Sequence, residues 1–362
     1  MQKNSSSFPV EFLDDPFAGT SALAPHLAGG RTLIVADMNA VQRIPSIGTR
    51  IGRFVQEAGL TLAGSPVVIG GGEKCKADDL ESVKRTVKAA LDARIGRNDT
   101  ILALGGGALL DVAGYAAAQL RGGVRLVRMP TTPAAMMDAA FAVTAAVNFG
   151  SIKDALKVPS VPAAAVIAPA LARTVLDGVW NAGLAEAMRF ALVHDAALLK
   201  KILQLAPAYR ERNEEALADL VTAVGAARQK KGDSDFALWA AARLEAMSDY
   251  RLPHGYAVAI GIVLDTGYAM EKGMLAPEVR EQYVAALKDA GALDGLSHSR
   301  HLLEQPEALL KGLDARELAS GSAEVTLPTA PGKGAPAVID RATMMRVIKE
   351  CVAADLAANT TA

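Results

Sequence analysis

The chain has 362 residues, with 38 Lys plus Arg against 39 Asp plus Glu and a formal net charge of −1. Hydrophobic residues make up 51% and charged residues 21%, a balance that builds a sizeable core and excludes disorder. Near-neutral charge and 4% aromatic content supply neither the field nor the stacking platforms of a nucleic-acid or anionic-membrane binder. Two cysteines, Cys75 and Cys351, make neither a disulfide framework nor a four-thiolate metal site. The opening MQKNSSSFPV lacks the apolar core of a signal peptide. Later apolar stretches are interrupted at Asp138 and Asp265 before they reach membrane-spanning length. A soluble, cytoplasmic protein of two domains is expected.

The first half alternates strand and helix signals. Apolar runs at Arg31–Asp37, Pro66–Gly70, Thr100–Gly105 and Val124–Pro130 read as strands, and Ala165–Ala170 as another. Ala77–Ile95, acidic at its start and basic near its end, reads as a helix whose charges complement its dipole. Such alternation predicts a parallel sheet covered on both faces, an α/β Rossmann-like domain over residues 1–170. From about Thr174 the apolar spacing becomes helical: Ala182–Leu203, Glu214–Gln229, Phe236–Ser248, Gly255–Gly273, Pro277–Ala290 and Ala342–Ala357, before a polar tail. Glu324–Leu327 and Ala337–Ile339 flank the turn-rich TAPGKG and read as one hairpin. The second domain, residues 171–362, is therefore expected to be mostly helical.

The run ILALGGG at 101–107, followed by Ala108–Leu120, reads as strand, triple glycine, helix. Glycines permit a tight turn and let a pyrophosphate approach the amides of a helix N-terminus, although a tight connection alone would also explain them. Asp111 sits one turn into that helix, where an apolar residue is the norm. Asp37 and Asn39 follow the first strand, and Thr131 and Thr132 follow Pro130, at the strand ends where α/β sheets bind ligands. Each has a plainer reading, Asp37 as a turn former and the threonines as helix caps. Together they favour a dinucleotide.

With these residues in place the chain resembles the dehydroquinate synthase family, within the sugar phosphate cyclases. The likeness rests on Asp37-Met-Asn39, Gly72-Glu73-x-x-Lys76, LGGGALLD (104–111), Arg121-Gly, Pro130-Thr-Thr132, Asp138, Ala-Val-Asn148, Lys153, Gly183-Leu-Ala-Glu186 and His254-Gly255. It implies a Rossmann-like domain, a helical domain, a cleft holding NAD and one divalent metal, normally zinc, and a homodimer. The implied reaction oxidises a carbinol of a sugar phosphate through NAD, eliminates phosphate, re-reduces the ketone and closes a carbocycle by an aldol step. By resemblance Asp37, Asn39, Glu73, Lys76, Gly106, Gly107, Asp111, Thr131, Thr132 and Thr174 line the NAD site. Asp138, Lys153, Arg189 and Lys231 face the substrate, and Arg121 reaches towards a neighbouring subunit's phosphate pocket. Glu186 and His254 are metal ligands, with His254 also at the reacting end.

Departures from the family pattern cluster on the metal and substrate side. Leu238 stands where the second ligand histidine is expected and Ala242 where a supporting histidine lies one turn on; a leucine cannot donate to a metal. Asp235 reads as a cap of the following helix, with metal ligation the lesser alternative. DAAFAVTA at 138–145 replaces the family's DSSVGGKT, so Thr144 takes the place of a substrate lysine. Asp154 replaces an asparagine and would repel a phosphorylated substrate. Arg189 replaces a lysine, and Lys231 an arginine. The expectation is a cyclase homologue acting on a sugar phosphate or related polyol with altered or lost activity. The alternatives are an inactive nucleotide-binding or scaffold descendant and, last, a metal-dependent alcohol dehydrogenase. His26 and His194 read as structural or surface residues, His298 and His301 as lying in a loop-to-helix connection, Trp239 as packing, and Cys75 as structural.

Overall fold

A computed structural model describes residues 8–150, 152–231 and 234–360. The chain forms two compact units, Met1–Leu176 and Asp177–Ala362.

The first unit is built on a seven-stranded sheet. Its strands are β1 (Val10–Phe12), β2 (Arg31–Asp37), β3 (Thr61–Leu62), β4 (Val67–Ile69), β5 (Thr100–Gly105), β6 (Arg125–Pro130) and, after a separate antiparallel hairpin of β7 (Thr144–Phe149) and β8 (Ile152–Pro159), β9 (Ala164–Ile167). They lie in the order β1-β9-β6-β5-β2-β3, with β4 also on β2, and every pairing is parallel. Strands buried on both faces must be apolar throughout, and every residue of β5 and β9 is buried. Helices α1 (Leu23–Leu27), α2 (Met38–Arg43), α3 (Ile47–Glu57), α4 (Glu81–Asp92), α5 (Gly107–Gln119) and α6 (Pro133–Met137) connect them. Leu33, Val35, Ile101 and Ala103 point into one apolar cluster with Leu109, Val112 and Ala116 of α5. Ile34 and Leu102 point the other way, towards Leu27 and Phe54.

The expected helix Ala77–Ile95 is shorter. A 3-10 turn covers Glu73–Lys76, and left-handed backbone at Asp79 and Leu80 (φ 53° and 67°) delays α4 to Glu81. Asp78 then accepts from the Ser82 N–H at 2.9 Å and supplies the cap.

In the second unit the run expected as one helix, Ala182–Leu203, is two. α7 (Asp177–Asn181) precedes α8 (Gly183–His194), and extended Asp195 (φ −150°) accepts from the Ala197 and Leu198 N–H groups to start α9 (Ala196–Arg210). A residue that caps one helix must stop its predecessor. There follow α10 (Glu214–Lys231), α11 (Leu238–Met247), α12 (His254–Glu271), α13 (Pro277–Asp289), α14 (Leu296–Leu303), α15 (Pro306–Ser320), the antiparallel hairpin β10 (Glu324–Ala330) and β11 (Lys333–Val338), and α16 (Arg341–Thr360). His298 and His301 therefore lie on a helix, not in a connection. The hairpin turns at Gly332 (φ +70°), where a Cβ would lie 2.1 Å from the Ala196 nitrogen, so both conformation and packing demand glycine there. Buried on all sides for most of its length, α12 is the central helix of this unit.

Candidate functional site

The chain supplies two groups of chemistry-bearing residues, one in each unit. In the first, β2 has β3 and β4 on one side, and the chain crosses to the other side for β5. The sheet's direction of growth reverses between β2 and β5, and ligands of open α/β sheets bind beyond the carboxyl ends of the strands at such a point. Asp37 ends β2 and Gly105 ends β5. A Cβ on Gly105 would lie 2.8 Å from the Asp37 Cβ and 2.5 Å from Leu109, so this glycine is required by packing. Gly106 differs: its backbone (φ −72°, ψ 173°) suits any residue, and a Cβ would meet only Thr132 at 3.5 Å. Neither conformation nor packing demands glycine there, and Gly106 itself offers α5 no capping side chain, while the Asp37 carboxylate accepts from the Gly106 N–H. A helix N-terminus whose N-cap residue carries no side chain is a fitting seat for a pyrophosphate, and the residues present fit a dinucleotide.

The flanking residues are fixed by local bonds. Asp37 is buried, caps α2 and accepts from the Asn39 N–H at 2.7 Å. Burial pushes its carboxyl up, against N–H groups of Asn39, Ala40 and Gly106 that favour the ionised form. Gly71 packs against this pair so closely that a Cβ would lie 2.0 Å from the Asn39 amide nitrogen. Thr131 is buried, and Thr132 caps α6 through the Ala135 N–H at 3.3 Å, as the plainer reading has it. Thr174 is half-buried in the segment that closes this unit.

Lys76 is the electrostatic centre. Its side chain is 3% exposed, with Nζ 2.7 Å from Asp111 Oδ2 and 2.6 Å from Asp154 Oδ1. Burial lowers its pKa, but Asp111, Glu73 and Asp154 outweigh burial and hold it well above the usual lysine value. Lys153 Nζ lies 3.8 Å from Glu73 Oε2. Asp154 adopts a left-handed backbone (φ 53°) and donates its N–H to the buried Asn148 side-chain oxygen at 2.8 Å. The sequence reading of Asp154 as a charge that repels substrate is therefore corrected: its carboxylate is spent on Lys76. Arg128, buried on β6, donates to the carbonyls of Ala139, Ala142, Thr144 and Ser160. It thus fixes the segment from Asp138 to Thr144. Arg121 donates to the Ile95 carbonyl at 3.2 Å. Cys75 is buried, which pushes its thiol well above the usual range and makes it inert.

In the second unit Glu186, Arg189, Arg228, Glu245 and His254 meet. Glu186, on α8, is fully buried. Its Oε2 lies 3.1 Å from Arg189 Nε, one turn along the helix, and 3.7 Å from Arg228 Nη2, while Oε1 lies 3.1 Å from His254 Nε2. Burial raises its pKa, but Arg189, His254 and Arg228 together hold it well below the usual carboxylate range, so it stays ionised. Arg189 also donates to the Ser234 carbonyl at 2.7 Å. His254 opens α12, and its Nδ1 is 3.1 Å from Glu245 Oε1, an outer carboxylate that fixes ring orientation.

Arg228 and Glu245 were not singled out in the sequence. Glu245 could have been, being three residues beyond Ala242 and seven beyond Leu238 on the same face of a mostly apolar helix. Lys231 is exposed and bonded to the His194 carbonyl, so the basic group buried beside Glu186 is Arg228. Asp235 does not cap α11. It accepts from the Thr326 N–H at 3.0 Å and pairs with Arg316, while left-handed Ala237 starts the helix.

Within this unit the expected ligand set is incomplete at Leu238. Glu186 Oε1 and His254 Nε2 converge, and Oε1 makes no well-formed hydrogen bond, but Leu238 offers no donor. Glu245 lies at Nδ1, so Glu245 and His254 also offer donor atoms close enough together to share an ion. Gly255 sets the approach of α12 to α8: a Cβ would lie 2.0 Å from the Ala182 carbonyl oxygen. Gly255→Ala is expected to cost about 1–3 kcal/mol, a fall of about 2–12 °C in melting temperature for a unit of this size, and to draw His254 away from Glu186. A melting temperature within error of wild type would contradict this.

Residues 66–180 match the 3-dehydroquinate synthase N-terminal family and residues 183–305 the 3-dehydroquinate synthase C-terminal family. A 3-dehydroquinate synthase of Halorhodospira halophila is 28% identical over 300 residues, covering 79% of this chain and 80% of its own. That of Thermosynechococcus vestitus is 31% identical over 251 residues, covering 65% and 67%. Among solved structures, 2-epi-5-epi-valiolone synthase from Streptomyces hygroscopicus subsp. jinggangensis, with NAD+ and Zn2+ bound, superposes with a TM-score of 0.84 at 21% identity, covering 95% of this chain and 96% of that one. A 2-deoxy-scyllo-inosose synthase in complex with carbaglucose-6-phosphate, NAD+ and Co2+ gives 0.77 at 18% identity, with the same coverage. Among the described residues no helix is long and apolar enough to cross a membrane. Fold, motif order and both matched halves agree: the chain belongs to the 3-dehydroquinate synthase family, as a sugar phosphate cyclase homologue.

Proposed function

We propose that this chain binds NAD through its first unit and has departed from the family's reaction, acting on a sugar phosphate or related polyol with altered chemistry. The observation that carries the reading is the N-terminus of α5 at the β2/β5 reversal, where Gly106 is glycine although neither its backbone conformation nor the packing of the described residues requires it. NAD seated there would accept a hydride from a carbinol carbon and could return it. Gly106, Gly107, Thr131 and Thr132 are the proposed neighbours of the phosphates. Asp37, Asn39, Glu73, Lys76, Asp111 and Thr174 would serve the rest of the nucleotide.

Asp138, Lys153 and Arg189 would orient the substrate's hydroxyl oxygens, and His254, held by Glu245, would take or return a hydroxyl proton at Nε2. No step is assigned to a metal. A homodimer is the assembly that the family likeness implies. Leu238 and Thr144 favour a second reading, a nucleotide-binding descendant without turnover, and absorbance at 340 nm with NAD and sugar phosphates separates the two.

The binding itself is tested by calorimetric titration with NAD+. Gly106→Val is expected to weaken binding tenfold or more, because the side chain enters the path of the pyrophosphate. It should leave the melting temperature within about 2 °C, because the fold has room for a Cβ. Wild-type protein that shows no saturable NAD+ binding would end the reading.

A further inference from the structure

We propose that Arg128 is a positioning residue: sealed inside the first unit, it sets where Asp138 and the β7–β8 hairpin with Lys153 stand, and touches no substrate itself. The proposal rests on the reading that Asp138 and Lys153 face the substrate. Three observations on this chain converge. The first is placement. Arg128 lies in mid-strand on β6 and is 1% exposed, in a run that is buried from Leu126 to Pro130. A buried charge is costly unless its donors are satisfied, and packing alone would be better served by an apolar residue. Burial pushes the guanidinium down to about 10, against the attraction of Asp111 and Asp138, and it stays charged at neutral pH.

The second is bonding. Nη1 donates to the Ala139 carbonyl at 3.0 Å and to that of Ala142, and Nη2 to the Thr144 and Ser160 carbonyls, both at 3.2 Å. Ala139 opens the 3-10 turn Ala139–Phe141 directly after Asp138, and Ala142 ends it. Thr144 opens β7, and Ser160 follows the last residue of β8. One planar fork of donors therefore ties the turn behind Asp138 to both feet of the hairpin, a task that suits arginine and no other side chain. The third is room. The register partners of Arg128 on the two neighbouring strands are Ala103 and Ala165. On α5, a Cβ at Gly114 would lie 3.4 Å from Arg128 Nη2 and 3.0 Å from both Ala145 Cβ and Ser160 Oγ. Glycine inside a helix is unfavourable, and here the close approach of guanidinium and hairpin accounts for it.

A hairpin held at its feet has its far end placed as well. Lys153 and Asp154 lie at that end, where Asp154 meets Lys76. Release of the feet would shift them and uncover Lys76. Asp37 and the Gly105–Gly106 turn take no bond from Arg128, so the nucleotide side is not held this way.

The test compares full-length wild type, Arg128→Lys and Arg128→Met without nucleotide or substrate, so its failure is separable from that of the dinucleotide reading, which titration with NAD+ decides. Lysine keeps the charge, but a single ammonium cannot bridge four separate carbonyls. In both variants amide hydrogen exchange over residues 139–149 and 152–160 should quicken at least about tenfold, while β2 and β5 stay within about twofold of wild type. Acetylation by acetic anhydride, read by mass spectrometry, should quicken at least about fivefold at Lys76 as its cover loosens. Lys88, whose side chain is 76% exposed, should react as before. Exchange in the two stretches as slow as in wild type, or a Lys76 no more reactive, overturns the proposal. Acceleration spread evenly over the unit also overturns it, since that is the mark of a residue that only packs. If neither variant folds, Gly114→Ala decides: crowding the hairpin feet with Arg128 in place must quicken exchange in the same stretches by about threefold or more, and an even or absent response overturns the proposal.

Discussion

Replacing Lys76 with Met is expected to cost the first unit about 2–4 kcal/mol, at the lower end of what breaking a buried ion pair costs. The discount comes from Asp154, whose side chain is 45% exposed and can recover hydration when its partner goes; Asp111, at 24%, recovers less. Two outcomes would identify the cause as electrostatic. The double variant Lys76→Met with Asp154→Asn should regain part of the loss, since it removes one of the stranded carboxylates. The pH profile should differ as well. Lys76 has a folded pKa above its unfolded value, so its contribution is fully present below about pH 10.5 and is lost only as pH rises through the folded value. Wild type should therefore lose stability in strong alkali that Lys76→Met has already lost at pH 7. Chemical denaturation at pH 7 and pH 11 reads both effects, and equal costs for the single and double variants would refute the pairing.

The same triad marks how far sequence reasoning reaches. Asp154 was legible as a departure from the family, and its sign was read correctly. Its consequence was not legible, because Lys76 lies 78 positions away and only the fold brings them within 2.6 Å. The strands at Arg31–Asp37 and Thr100–Gly105 were readable to the residue because parallel strands buried on both faces leave an unbroken apolar run. The β7–β8 hairpin was not, since β8 carries Lys153, Asp154 and Lys157 on an exposed ribbon that resembles a loop. Asp195 hid its helix break because a capping aspartate between two apolar runs differs little from an exposed residue on one long helix. Leu238 and Ala242 could be judged by the chemistry they lack. Arg228 could not, since a single arginine in a polar stretch is ordinarily solvated.

Asp265→Ala is expected to be the most damaging substitution in the second unit, about 2–5 kcal/mol. Asp265 is fully buried on α12, and its two oxygens accept from the Trp239 indole N–H at 2.8 Å and the Ala237 N–H at 2.9 Å. Alanine would strand two buried donors, each costing about 1–3 kcal/mol. One of them belongs to left-handed Ala237, the residue that starts α11. The loss would therefore loosen the helix that carries Glu245, and through Glu245 the orientation of His254. Wild type should also reveal this group through pH. Burial pushes the Asp265 carboxyl up to about 7, against an unfolded value of 3.8, while its two hydrogen-bond donors oppose the rise. Between those values the folded chain holds a proton that the unfolded chain has released. Stability therefore falls as pH rises from about 4 to 7, and the cost is complete above that range. Asp265→Asn keeps the shape of the protonated acid and cannot ionise, so its stability should lack this downward slope. Urea melts of wild type and Asp265→Asn at intervals from pH 4 to 8 decide it: parallel curves would mean that Asp265 does not titrate in this range, and that the buried start of α11 is held by packing alone.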